Sequence, residues 1–151
     1  MTETGVRQSD TPTGRWLLLL GAWAIALAAT LGAIFIGEVM GQAPCLLCWY
    51  QRAFMFPLAV ILAVATYRSD AHAWRYALPV AAIGWLFAVY HMLVYAELLP
   101  KSVEPCAQGG PSCTDAAMTI LGTVPIPALS LGAFTAIVLM LLPIRRETTR
   151  E

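Results

Sequence analysis

The chain has 151 residues, of which 59% are hydrophobic and 12% charged, and its 9 basic residues balance its 9 acidic residues. An average soluble domain is about 45–50% apolar and about 25% charged, and a domain of this length still exposes about 30% of its unfolded surface. The composition therefore favours lipid as the solvent for much of the surface. It argues against a soluble enzyme, intrinsic disorder, a disulfide-rich secreted toxin and a basic nucleic-acid-binding protein.

Four apolar stretches predict four membrane-spanning helices, because a bilayer core requires about 20 consecutive apolar residues in a helix. The second stretch is uncharged only from Ala53 to Tyr67, so it reaches spanning length only if its helix begins near Leu46 or Leu47. That start places Arg52 inside the helix. We therefore predict an all-α protein, an integral membrane four-helix bundle that forms one domain over residues 1–151. Its spans are expected at about 16–37, 47–67, 76–96 and 126–144.

The distribution of basic residues predicts the orientation. The N-terminal tail, the loop between the second and third spans and the C-terminal tail together hold seven of the nine basic residues: Arg7, Arg15, Arg68, Arg75, Arg145, Arg146 and Arg150. Basic segments stay on the cytoplasmic side, so both termini are predicted to be cytoplasmic. Two segments then face outward, one from Glu38 to about Pro44 and one from Glu97 to about Pro125.

By this topology all four cysteines, Cys45, Cys48, Cys106 and Cys113, belong to the outward side, where disulfides persist. One local pair in each segment suggests Cys45–Cys48 and Cys106–Cys113, although three connectivities are formally possible. A structural cross-link would more naturally join the two segments, because short loops restrain the unfolded chain less than long ones. Local pairs are therefore better suited to disulfide exchange.

The Cys-x-x-Cys spacing suggests a reactive pair. Pro44 can open a helix whose first turn holds Cys45 and Cys48, where the positive end of the helix dipole stabilises a thiolate. Arg52 follows Cys48 by four residues and Cys45 by seven, so it shares their helix face. A charge within a span indicates a functional site; the alternative is that Arg52 only extends its charge to the interface.

Three other interpretations of the cysteines are open at this point. Four thiolates can hold a tetrahedral zinc ion, although the six residues between Cys106 and Cys113 are a loose spacing for it. A c-type haem needs a histidine after the second cysteine, where Trp49 stands. The third alternative is a pair of purely structural disulfides.

Several runs resemble the disulfide bond formation protein B (DsbB/BdbC) family. The run from Pro44 to Arg52, PCLLCWYQR, is similar to the family hallmark. Three further segments are similar to the second half of the family pattern: Pro105-Cys106, Ser112-Cys113 and the run from Thr123 to Leu131. The Tyr90-His91 pair is similar to the shorter BdbC-type members. The resemblance covers roughly Trp16 to Ile144, with the same four spans and orientation.

The resemblance implies a multi-pass protein of the bacterial cytoplasmic (inner) membrane with a lipid bilayer, a redox protein and a quinone as partners, and no nucleic acid. The redox partner would be a thioredoxin-fold thiol oxidase of the DsbA/BdbD type. The protein would reoxidise this oxidase and pass the electrons to ubiquinone or menaquinone. No metal is expected.

The resemblance also implies residue roles. The partner's thiolate would attack Cys106, and the released Cys113 would attack the Cys45–Cys48 disulfide at Cys45. Cys48 would then be the thiolate that faces the quinone, with Arg52 holding the quinone. His91 is a second candidate for quinone binding, because a histidine within a span can carry protons or contact a quinone oxygen. A histidine hydrogen-bonded within the bundle is the alternative.

Two rival functions follow from the same residues. An enzyme of another kind would be a relay that donates electrons outward, which needs cysteines near the cytoplasm, or a vitamin K epoxide reductase-like protein, which normally has its Cys-x-x-Cys in a late span. The non-enzyme rival is a membrane assembly protein with two static disulfides. That rival predicts that Cys48→Ala and Arg52→Ala are tolerated.

Overall fold

The computed structural model describes residues 12–98, 119–120 and 124–150 of the chain. These residues form four long helices: α1 (Pro12–Ile34), α2 (Leu46–Arg68), α3 (Trp74–Tyr95) and α4 (Ile126–Thr148). A π-helical segment, Phe35–Val39, extends α1, and a 3₁₀ turn, Ala71–Ala73, precedes α3. Two short strands, β1 (Thr119–Ile120) and β2 (Val124–Pro125), pair antiparallel just before α4. The predicted all-α four-helix membrane bundle is confirmed.

Each of the four helices is long and apolar enough to cross a membrane. The candidate spans are Thr13–Val39, Leu46–Arg68, Ala71–Tyr95 and Ile126–Thr148. The shortest has 23 residues, which corresponds to about 35 Å of helix, against about 30 Å for a hydrocarbon core. Large apolar side chains are exposed on the outside of the bundle, among them Leu17, Val60, Leu86 and Leu139. Lipid is the solvent that such a surface requires.

The helices form a ring in which α1 packs against α2 and α4, and α3 packs against the same two helices. Small residues line the centre, including Ala22 and Ala26 of α1 and Ala81 and Ala88 of α3, all fully buried. Small side chains let helices approach closely where no hydrophobic effect drives them together.

Helices α3 and α4 approach closely at Gly84. A Cβ atom at that position would overlap the ring of Phe134 on α4, which is itself fully buried. Any side chain larger than hydrogen would therefore require the Phe134 ring or the helices themselves to shift.

The basic residues are unevenly distributed between the two ends of the bundle. The start of α1, the link between α2 and α3 and the end of α4 meet at one end of the bundle. There the Trp16 indole donates a hydrogen bond to the backbone oxygen of Thr66 (3.2 Å), and the Trp74 indole donates to the hydroxyl of Thr148 (2.7 Å). The Arg145 guanidinium lies 5.6 Å from the centre of the Trp74 ring. The cysteine-bearing start of α2 is at the opposite end.

Candidate active site

Cys45 and Cys48 lie side by side where α2 begins. Their Sγ atoms are 2.8 Å apart and both are free thiols in this structure. A disulfide joins its sulfurs at about 2.05 Å, so small side-chain rotations interconvert the two forms. Cys45 is fully buried, whereas Cys48 is partly exposed. The pair is therefore placed to cycle between dithiol and disulfide without movement of the helix.

Cys45 is the N-cap of α2 and not a residue of its first turn, because the helix begins at Leu46, as its spanning length predicted, and not at Pro44. Its backbone is extended (φ −67°, ψ 168°), which turns Sγ toward the backbone N–H of Cys48 at 3.3 Å. This N–H has no partner within the helix, and a side-chain acceptor at the N-cap satisfies it. The sulfur thus takes the place of a capping oxygen.

The Cys45 thiol, which precedes the membrane-spanning helix, has a lowered pKa. The largest cause is the hydrogen bond that the Cys48 thiol donates to it; burial acts in the opposite direction, and His91 and the Cys48 N–H lower the pKa further. Because the thiolate is the nucleophile in disulfide exchange, these contacts make Cys45 reactive in the dithiol form.

A chain of hydrogen bonds connects Cys45 to side chains of three helices, α2, α3 and α4. The hydroxyl of Ser130 on α4 donates to Gln51 Oε1 on α2 over 2.5 Å, and Gln51 Nε2 donates to His91 Nδ1 on α3 over 3.0 Å. His91 Nε2 then lies 3.8 Å from Cys45 Sγ. His91 is completely buried and Gln51 is 7% exposed. Water therefore does not compete for the bonds of His91.

Three side chains could supply metal ligands. The ligand atoms of Cys45, Cys48 and His91 lie within 4.8 Å of one another, and thiolates with imidazole are zinc ligands. An amide nitrogen can only donate, so Gln51 Nε2 requires an unprotonated Nδ1 on His91. The hydrogen of the neutral ring is then on Nε2, which makes that nitrogen a donor toward sulfur and not a ligand.

Arg52 links the start of α2 to the end of α1. Its Nη2 donates to the backbone oxygen of Ala33 over 2.8 Å, and its guanidinium carbon lies 5.7 Å from the centre of the Trp49 ring. A Cβ on Gly37 would be 3.2 Å from both terminal guanidinium nitrogens. No carboxylate of the described residues pairs with Arg52, so its charge is available to an anionic or carbonyl oxygen.

The sequence matches a known family over most of its length. The family described as disulfide bond formation protein DsbB matches residues 14–144. The chain belongs to the DsbB disulfide bond formation family. It is 60% identical over 139 residues to a probable disulfide formation protein of Metapseudomonas resinovorans, covering 91% of this chain and 96% of that protein. It is 35% identical over 133 residues to disulfide bond formation protein C of Bacillus subtilis (strain 168), covering 88% and 96%.

A third relative has the same kind of description. A probable disulfide formation protein of Deinococcus radiodurans is 38% identical over 139 residues, covering 86% of this chain and 90% of that protein. No solved structure matches the chain significantly. Formation of a disulfide removes two electrons from two thiols, so the DsbB family member is a multi-pass membrane oxidoreductase.

The structure brings together three of the six site residues predicted from the sequence of this DsbB family member, Cys45, Cys48 and His91. Arg52 lies one turn after Cys48 on the same helix. Cys106 and Cys113 lie outside the described residues, and their pairing and their role in exchange stay predictions.

Neither Gln51 nor Ser130 was predicted to have a role, although both are part of the runs that resemble the DsbB family. The polarity of these two side chains was the sequence feature that could have identified them. A polar side chain within a membrane span must find a partner there, and His91 was the predicted polar residue on a neighbouring span.

Proposed function

We propose that this DsbB family member is a thiol:quinone oxidoreductase that reoxidises a thioredoxin-fold oxidase outside the cytoplasm. The single observation that carries the proposal is the position of the thiol pair. Cys45 and Cys48 are within bonding reach at the end of a membrane-spanning helix, where Cys48 is partly exposed beside Trp49, which is 57% exposed. A lipid-soluble oxidant can reach such a pair from the bilayer, and a water-soluble protein can reach the same helix end from outside.

The residues present fit a quinone. The Arg52 guanidinium has a backbone oxygen and an aromatic ring as neighbours and no carboxylate among the described residues. It can therefore donate to a quinone oxygen and stabilise negative charge there. When bound, ubiquinone or menaquinone supplies an acceptor for two electrons and two protons. Cys45 and Cys48 supply those electrons and protons as they convert from two thiols to one disulfide.

The outer cysteines carry the first exchange in this proposal. A thiolate of the partner oxidase attacks Cys106, which breaks the Cys106–Cys113 bond and leaves Cys113 as the thiolate. Cys113 then attacks Cys45, and the electron pair of the Cys45–Cys48 bond leaves on Cys48. The partner's second thiolate releases Cys106, and Cys106 attacks Cys113, which restores the Cys106–Cys113 bond and leaves the electron pair on Cys45. This order rests on the family resemblance, and the described geometry supports it by placing Arg52 on the same helix as Cys48, one turn away.

The proposed location is the bacterial cytoplasmic membrane, with both termini in the cytoplasm and the cysteines outside. The support is that basic residues of three separate segments, including Arg15, Arg68 and Arg145, belong to the bundle end opposite Cys45. The partner oxidase would dock at the cysteine end, where disulfides are stable.

The test follows quinone absorbance after reduced thioredoxin-fold oxidase is added to purified protein in detergent. Wild type is expected to reduce quinone catalytically, Cys48→Ala to lose turnover, and Arg52→Ala to need about tenfold or more quinone, because a hydrogen bond from a charged group contributes about 1.5–3 kcal/mol. Arg75→Ala is the matched control, since Arg75 contacts Trp74 at the far end of the bundle. Absence of reduction with several quinones and an active partner would favour static disulfides.

A further inference from the structure

We propose that Gln51 and Ser130 are positioning residues that fix His91 as a hydrogen-bond donor to Cys45, so that His91 stabilises the thiolate formed when a disulfide bond to Cys45 breaks and its electron pair stays on Cys45. The basis is the buried chain of contacts from α4 through α2 to α3, which ends on the sulfur. The role of His91 in turnover rests on the proposed function. The position of the hydrogen on its ring does not depend on that function.

Gln51 decides which ring nitrogen of His91 carries the hydrogen. Its amide nitrogen faces Nδ1 at 3.0 Å. An amide N–H can only donate, so Nδ1 has to accept with its lone pair. The neutral imidazole then holds its single hydrogen on Nε2, the nitrogen nearest Cys45.

Ser130 supports the orientation of the Gln51 amide. Its hydroxyl donates to Oε1 over 2.5 Å, and in this arrangement the amide nitrogen faces His91. With the amide reversed, Oε1 would meet the ring at Nδ1 and would require the hydrogen there. Ser130 thus acts on the hydrogen position of the His91 ring through Gln51, without contact with either cysteine.

The position of this hydrogen determines whether His91 helps or opposes charge on Cys45. With the hydrogen on Nε2, the N–H dipole points at the sulfur and stabilises a thiolate. With the hydrogen on Nδ1, the lone pair of Nε2 would face the same thiolate and repel it. Because both side chains are fully buried, water does not screen the difference, which is therefore larger than at a surface.

The chemical step is a disulfide exchange at a sulfur bonded to Cys45. An incoming thiolate attacks that sulfur and forms a new S–S bond with it. The bond to Cys45 breaks, and its electron pair leaves on Cys45 Sγ as the thiolate. His91 donates its hydrogen bond to this charge and keeps its proton, so no proton is transferred in the step.

Nitrogen NMR of histidine tests the hydrogen position directly. The chain has two histidines, so protein labelled with ¹⁵N-histidine and carrying His72→Asn reports His91 alone. In the reduced protein we expect hydrogen on Nε2. As a carboxylate, Gln51→Glu presents only acceptors to Nδ1 and should move the hydrogen to Nδ1, whereas Ser130→Ala should give a mixture.

Thr135→Val is the matched control, because Thr135 also lies on α4 but bonds Trp85 and the backbone of Leu131. It should leave the His91 spectrum unchanged. Hydrogen on Nδ1 in the parent protein, or on Nε2 in Gln51→Glu, would overturn the proposal. This result is obtained without quinone or partner, so it is separate from any failure of the proposed enzyme reaction.

The dithiol–disulfide equilibrium of the pair tests the energetic consequence. With Cys106 and Cys113 both replaced by alanine, equilibration with a dithiol buffer reports Cys45 and Cys48 only. Loss of the donor in His91→Phe should shift the equilibrium about tenfold toward the disulfide, equivalent to about 30 mV, and Gln51→Leu should shift it in the same direction. An unchanged equilibrium in both variants would remove His91 as a stabiliser of the thiolate.

Discussion

Arg52 of α2 donates a hydrogen bond from Nη2 to the backbone oxygen of Ala33 in α1, over 2.8 Å. This bond ties the helix that begins at the cysteine pair to the end of the neighbouring helix. The chain of α1 continues from there as a π-helical segment, Phe35–Val39, and such segments are often found at functional sites. Gly37, in that segment, leaves just enough room for the guanidinium.

Gly37→Ala is expected to disturb Arg52 specifically. A Cβ at this position would be 3.2 Å from both terminal nitrogens of the guanidinium, so the Arg52 side chain has to move. We expect the KM for quinone to rise about fivefold, the equivalent of about 1 kcal/mol for one displaced hydrogen bond. The kcat at saturating quinone should change less. Steady-state kinetics with varied quinone measures both.

The control for Gly37→Ala is Gly32→Ala in the same helix. A Cβ at Gly32 meets no atom within 4 Å, and replacement of glycine by alanine in a helix stabilises it by up to about 1 kcal/mol. The control should therefore retain the wild-type KM. Equal KM values in the two variants would show that Gly37 does not protect the position of Arg52.

Gly84→Ala should destabilise the bundle without touching the site chemistry. The new Cβ would overlap the Phe134 ring, and forced overpacking in a core costs about 1–3 kcal/mol. Thermal unfolding in detergent should show a lower midpoint, whereas Gly132→Ala on α4, whose Cβ meets nothing within 4 Å, should not. A wild-type midpoint for Gly84→Ala would mean that α3 and α4 separate at little cost.

The sidedness of the two bundle ends can be measured with single cysteines. In a chain whose four native cysteines are alanine, Ala43→Cys and Ser69→Cys each introduce one thiol at an exposed position, on opposite ends of α2. A membrane-impermeant maleimide added to intact spheroplasts should label Ala43→Cys and leave Ser69→Cys unlabelled until the membrane is opened. The reverse pattern would place the redox pair in the cytoplasm.

The pKa of Cys45 should depend on the donor at position 48. The hydrogen bond from Cys48 stabilises the charged form of Cys45 and is the largest cause of its lowered pKa. Cys48→Ala removes the donor while burial persists, so the Cys45 pKa should rise toward its ordinary value of about 8.5. Cys48→Ser retains a hydroxyl donor and should raise it less.

This titration is followed by thiolate absorbance in the ultraviolet, in chains whose Cys106 and Cys113 are alanine. The signal of Cys45 should appear at higher pH in Cys48→Ala than in Cys48→Ser. Coincident curves for the two variants would assign the lowered pKa to the helix end and His91 alone.

Much of the fold is a local property of the sequence and could be predicted from it. Span length and the uncharged stretches predict four helices, because lipid requires each segment to satisfy its own backbone hydrogen bonds. The spacing of Cys45, Cys48 and Arg52 on one helix likewise depends only on helix geometry. One local detail differed: Cys45 caps the helix and does not lie inside it, because its sulfur can accept the Cys48 N–H only from an extended backbone.

The contacts between helices could not be predicted from the sequence in this way. That Gln51 faces His91 and Ser130, and that Arg52 reaches Ala33, depends on how each helix is rotated about its own axis. A membrane helix apolar on nearly all sides carries little periodic signal for that rotation, since lipid and the bundle interior accept the same side chains. The sequence by itself therefore determined the membrane bundle, the reactive cysteine pair and the nearby cation. Only the packing of α2, α3 and α4 decided which buried polar groups face Cys45.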